Sequence, residues 1–131
     1  MKVISIKEPF ATLIMNGNKK IETRSWKTTY RGELYIHASG KSLAKEFLDD
    51  NIIDLIKDMN MNYGNIICKG NLVDCVYMDE EFITKIKENK MEYVCGRYKV
   101  GRYAWIFDSV ESISPIAAKG KLNIWNYDIE Y

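Results

Sequence analysis

The sequence is poor in the residues that build metal and redox centres. His37 is its only histidine, and its three cysteines, Cys68, Cys75 and Cys95, are an odd number without a Cys-x-x-Cys spacing. Zinc needs more ligands at closer spacing, so no metal is expected and the thiols read as reduced and mostly buried. Glycine loops of the Gly-x-Gly-x-x-Gly or Walker type are missing, as are a Gly-x-Ser-x-Gly elbow and a His-Glu-x-x-His helix. Dinucleotide, nucleoside-triphosphate, serine-hydrolase and zincin chemistry therefore have no support, and no cofactor is expected. No apolar run approaches the ~20 residues that span a bilayer. The first residues meet charge again at Lys7 and Glu8, unlike a signal peptide, so a cytoplasmic location without membrane contact is expected.

An excess of one charge is also lacking. Lys plus Arg total 19 against 18 Asp plus Glu, a net +1. Bulk electrostatic grip on duplex DNA is disfavoured, and any nucleic-acid recognition must be local. The near-zero total hides an asymmetry: residues 1–41 hold eight bases and three acids, residues 42–94 six and eleven, and residues 95–131 five and four. The basic excess lies in the first third. With 131 residues, 47% hydrophobic and 28% charged, the chain reads as one domain spanning 1–131.

Periodicity predicts the elements. Val3 to Ile6 reads as a strand, and Pro9 opens a helix to about Asn16, with Phe10, Leu13 and Ile14 on one face and Gly17 as the stop. Lys19 to Trp26 alternates as a strand, placing Glu22, Arg24 and Trp26 on one face. A turn at Tyr30-Arg31-Gly32 precedes a strand over Leu34 to Ala38. Ser42 reads as the N-cap of a helix carrying Leu43, Phe47 and Leu48, with continuation to about Asn60 and a break at Asp50-Asn51. Ile66 to Tyr77 predicts a long strand bent or bulged at Gly70. Asp79 caps a helix with Phe82, Ile83 and Ile86; strands then follow at Tyr103 to Phe107, Val110 to Ile113 and Leu122 to Trp125. About six strands with three or four helices, not regularly alternating, indicate an α+β fold around a small curved sheet or barrel.

The densest group of functional residue types runs from Gly17 to Trp26. Glu22 and Arg24, two apart on a strand, stand about 6.5 Å apart at Cα and can converge on one groove. Lys19, leaving the glycine turn, can approach the same carboxylate. A carboxylate between two cations stays ionised and positions them, which suits a planar polar ligand or a phosphate. An ordinary surface ion pair is the alternative. His37, beside Ser39, Gly40 and Lys41, can complete a polar pocket or serve as a satisfied structural residue. Trp26, Tyr30, Tyr103 and Trp105 can stack a base or fill the core, with Trp26 expected to be exposed. Arg97 and Arg102 lie on a basic aromatic loop that can contact phosphate or simply face solvent.

Gly17-x-Lys19-x-x-Glu22-x-Arg24 resembles the signature of the ASCH domain, a branch of the PUA-like superfamily. The resemblance extends to Ser5-Ile6-Lys7-Glu8-Pro9-Phe10-Ala11, Tyr30-Arg31-Gly32, Ile36-His37-Ala38-Ser39, Tyr103-Ala104-Trp105 and Lys119-Gly120-Lys121-Leu122-x-Ile124-Trp125. It implies a small PUA-like β-barrel with flanking helices, a cleft lined by the motif, and RNA or a nucleoside or nucleotide as partner; nothing identifies a protein partner. Together with the reading of the residues, it gives a candidate ligand-binding set of Lys7, Lys19, Glu22, Arg24, Trp26, His37, Ser39 and Lys41. Similar proteins also act as amidohydrolases on acetylated cytidine or as ribonucleases, so the alternative is a metal-independent hydrolase using Lys19 and Glu22. The amidohydrolase branch has a threonine where this chain has Glu22.

Overall fold

The computed structural model describes residues 1–42, 46 and 48–128. Among them are six strands: β1 (Lys2–Glu8), β2 (Ile21–Arg24), β3 (Gly32–Ser42), β4 (Asn65–Tyr77), β5 (Tyr103–Ala117) and β6 (Ile124–Asn126). Four helices accompany them: α1 (Phe10–Met15), α2 (Asp50–Ile56), α3 (Glu80–Lys87) and α4 (Lys90–Val94). The strands form one sheet in the order β2-β5-β4-β3-β1-β6, parallel only between β1 and β3. This is the expected α+β architecture. Among the described residues no strand ladder closes the sheet, but it rolls around the largest of its buried clusters. Ile4 and Ile6, Leu34 and Ile36, Ile67 and Leu72, and Trp105 and Phe107 bring β1, β3, β4 and β5 to a cluster shared with Ala11 and Ile14 of α1. Burial of that apolar area is the main force holding the roll.

The first helix turns the chain toward the motif. The buried Glu8 carboxylate accepts from the Thr12 backbone N–H and hydroxyl and from the Asn62 N–H. It thereby satisfies an otherwise orphaned donor of the first helical turn and ties the segment before β4 to α1. At the other end Gly17 adopts φ +85°, a conformation that costs glycine little. The chain then doubles back, so that Asn18 and Lys19 both donate to the Leu13 carbonyl. Lys19 consequently re-enters the protein instead of continuing into solvent.

Several elements differ from the sequence expectation. Ser42 ends β3, and α2 begins at Asp50, where a break was expected, because the Asp49 carboxylate accepts from the Asn51 N–H as a cap. Leu43 and Phe47 of the expected helix lie outside the described residues. The strands expected at Tyr103 to Phe107 and Val110 to Ile113 are one strand, β5, which passes through Ser109 at φ +53° and keeps pairing with β4 through register shifts. The last strand begins at Ile124, with Leu122 left almost fully exposed. The five-residue α4 has too short a pattern to be read from periodicity, although Asn89 caps it.

Gly70 marks a close approach within the bulged β4. A Cβ there would stand 2.9 Å from Val110 Cγ2, and a β-branched neighbour turns aside poorly. Gly70→Ala is expected to destabilise the fold by about 1–3 kcal/mol in urea unfolding. Part of that loss should disappear when the same change is made in a Val110→Ala background; equal losses in both backgrounds would place the strain elsewhere.

Candidate functional site

Lys19, Glu22 and Arg24 come together. Arg24 Nη2 lies 2.9 Å from Glu22 Oε2, and Lys19 Nζ stands 3.9 Å from Glu22 Oε1. The exposures are unequal: the side chains are 0%, 10% and 24% accessible for Lys19, Glu22 and Arg24. Lys19 also donates to the Cys95 carbonyl and points at the Phe10 ring, 5.0 Å from its centroid. Its ammonium is therefore held by a carboxylate, a carbonyl and an aromatic face while shut off from solvent. Arg24 Nη2 additionally donates to the Ser5 carbonyl at 2.8 Å. Its Nε finds no partner among the described residues.

The residues that seal Lys19 follow α4. Cys95 accepts the lysine, the Arg97 N–H donates to Thr23 Oγ1, and Arg102 donates to the Thr23 carbonyl and to that of Arg97. These bonds lay the loop along the free edge of β2, where unpaired strand groups would otherwise face water. Gly96 is needed there, since a Cβ would stand 2.8 Å from the Tyr98 ring and 2.9 Å from Thr23 Cγ2. Glu92 is buried beneath this roof and accepts from the Lys20 N–H at 2.7 Å, while its Oε2 and the Tyr98 hydroxyl have no partner among the described residues. Burial raises the Glu92 carboxyl above the usual range, against the opposing pull of the Lys20 N–H and the Lys19 charge. Burial also raises the Tyr98 hydroxyl and pushes the Cys95 and Cys68 thiols up to about 11 and about 12.

The remaining expected site residues lie elsewhere or are already engaged. His37 is buried, with Nε2 2.7 Å from the Ala118 carbonyl and Nδ1 3.0 Å from Ser5 Oγ, which also accepts from Trp125 Nε1. The network is satisfied when Nε2–H donates to Ala118 and the Ser5 hydroxyl donates to Nδ1. His37 is thus a brace with neither ring nitrogen free. Lys7, Ser39 and Lys41 sit toward the ends of β1 and β3, and no bond among the described residues joins them to the Lys19–Glu22–Arg24 chain. Trp26 is not an exposed platform: it packs edge-on against buried Trp105, whose indole N–H donates to the Trp26 carbonyl.

Sequence reasoning missed the open cleft beside the motif. Arg24 pairs with Tyr103 across β2 and β5, and Tyr103 pairs with Tyr77 across β5 and β4. Directly opposed residues share a face, so one arginine and two tyrosines form a row across three strands. At the tyrosine end opens a cleft of about 610 Å³ lined by Lys27, Thr28, Thr29, Arg31, Cys75, Tyr77 and Tyr103. The local signal was the basic, polar run from Lys27 to Arg31, which reads as an ordinary turn. Tyr77 carried none, because only β4–β5 register brings it to Tyr103. Among the described residues no group of three His, Cys, Asp or Glu could hold a metal, and no helix is long and apolar enough to cross a membrane.

Comparison with known proteins gives a family match and a fold match. The ASCH domain family model matches residues 4–119. Activating signal cointegrator 1 of Homo sapiens is 31% identical over 95% of this chain, and its Mus musculus counterpart is 25% identical over the same share. The chain spans 22% of the length of each of these relatives. Among solved structures, an ASCH protein from Zymomonas mobilis superposes with a TM-score of 0.56 at 17% identity, covering 88% of this chain and 72% of that one. A mutant of the same protein gives 0.55, covering 88% and 74%.

The raised Glu92 carboxyl gives a pH dependence of known sign. Its folded pKa lies above its unfolded one, so the folded state binds the proton more tightly and stability falls as pH rises from about 4.5 through the raised value. Urea unfolding across that window should show wild type losing stability relative to Glu92→Gln as pH climbs. A constant difference between the two proteins would remove Glu92 as the source.

Proposed function

We propose, from the premise that this chain belongs to the ASCH domain family, that it binds RNA, as a single strand or a lone nucleotide, where the motif meets the open cleft. The observation that carries this reading is the fixed guanidinium of Arg24. It is anchored by Glu22 and the Ser5 carbonyl, remains about a quarter exposed, and stands in register with two tyrosines. A planar donor already immobilised loses little further entropy when it meets a phosphate or base carbonyl. Glu22 orients Arg24, and Lys19 balances Glu22 from the buried side. A near-neutral protein with one confined cationic and aromatic site suits an unpaired nucleotide better than a duplex backbone.

The hydrolase alternative draws support from a different observation. Lys19 is desolvated beside Glu22, and the unpartnered Glu92 oxygen lies under the same roof. Such groups can exchange protons with a substrate only after the Cys95 to Tyr98 segment withdraws, because Lys19 is fully enclosed.

Fluorescence anisotropy with a short labelled single-stranded RNA separates the readings. Arg24→Ala should weaken binding roughly tenfold or more and reduce the slope of log affinity against log salt by about 0.7, with Arg24→Lys intermediate. Urea unfolding of each variant reports whether the fold is retained. Unchanged affinity and slope in folded Arg24→Ala would remove the arginine from the site. Hydrolysis is read separately, from acetylated cytidine and RNA incubated with concentrated protein without added metal. Turnover that vanishes in Lys19→Ala would establish the enzyme, and no product from the wild type would exclude it.

A further inference from the structure

We propose that the cleft beyond Arg24 is the seat of one nucleotide of a single-stranded RNA, its base laid on Tyr77 and its flanking phosphates taken by Lys27 and Arg31. This deepens the RNA-binding reading and rests on it. The cleft is open to solvent rather than enclosed, with a volume of about 610 Å³. Tyr77 is half exposed and meets the Tyr103 ring in a T-shaped contact at 5.7 Å and 72°, which steadies the ring while the residue stays accessible. A half-exposed aromatic ring in a polar cleft offers what a base needs and an apolar core does not.

The cations fit the same ligand. Arg31 is held in place, with Nη1 donating to the Thr28 and Tyr30 carbonyls at 3.0 and 2.9 Å and Nη2 3.6 Å from Asp74 Oδ1. Asp74 is more than half exposed, and solvent weakens such a pair, leaving the guanidinium available to a phosphate. Lys27 is exposed and pairs with no carboxylate among the described residues. Thr28 and Thr29 add hydroxyls between the two cations along the chain. The β2–β3 connection therefore supplies the phosphate contacts, and the sheet supplies the ring.

The cleft contains its own reporter. Cys75 lines it and is partly exposed, whereas Cys68 and Cys95 are buried with thiols raised to about 12 and about 11, which slows their alkylation. In the intact chain, iodoacetamide alkylation of Cys75, followed by peptide mass spectrometry, should slow on adding a short mixed-sequence RNA, in proportion to the fraction bound by anisotropy. Tyr77→Ala should weaken binding about 5- to 100-fold while Tyr77→Phe retains it, and Lys27→Ala should lower the salt slope by about 0.7. RNA binding with unprotected Cys75 and an unaffected Tyr77→Ala would overturn the cleft assignment. Loss of binding in Arg24→Ala under those same conditions would leave the broader RNA-binding reading standing. Failure of the wild type to bind any RNA would overturn both.

Discussion

The hydrogen bond from Arg24 to the Ser5 carbonyl is where the rolled sheet is fastened. In the strand order, β2 and β1 are separated by β5, β4 and β3, and no strand ladder among the described residues joins them. One guanidinium nitrogen nevertheless reaches from β2 to the β1 backbone at 2.8 Å. Such a charge-assisted bond needs a cation in a largely enclosed place, and Glu22 makes that tolerable by sitting 2.9 Å from the same nitrogen. The carboxylate also makes Lys19 tolerable from the opposite side. The motif is thus first a structural device, three charges that allow a polar clasp inside an apolar roll.

Ser5 joins this clasp to a second polar network. Its carbonyl receives Arg24, and its hydroxyl connects His37 with the Trp125 indole. His37 in turn bonds the Ala118 carbonyl, bringing the end of β5 against β1 and β3. Gly120 lets the following chain pass: a Cβ there would stand 3.0 Å from His37 Cε1 and from Ser5 Oγ. A histidine with both nitrogens engaged braces the protein and leaves recognition to the other end of the clasp.

There, the cross-strand row from Arg24 through Tyr103 to Tyr77 leads from the buried motif to an open cleft. Lys19 and Glu92 lie behind the loop after α4, and the tyrosines and the Lys27 to Arg31 segment lie in front. The division has an electrostatic reason. Behind the roof the Lys19 ammonium is compensated by Glu22 and the Cys95 carbonyl, because an unpaired charge is costly in a poorly solvated interior, while exposed groups in the cleft remain free to exchange water for a ligand. The RNA-binding reading depends on the second set and on the rigidity supplied by the first.

The sequence by itself determined the α+β class, the turn at Gly17, the Asp79 cap, the bent strand around Gly70, and the convergence of Lys19, Glu22 and Arg24, because each depends on local spacing or backbone preference. It also contained the ordered landmarks of the ASCH family. Only the tertiary structure decided that Lys19 is enclosed, that His37 is a brace, that Trp26 packs on Trp105, and that Tyr77 stands beside Tyr103. Those outcomes depend on strand register and on a covering loop more than 70 residues further along the chain. A local pattern sets which residues can share a face; the rolling of the sheet sets which of them meet water.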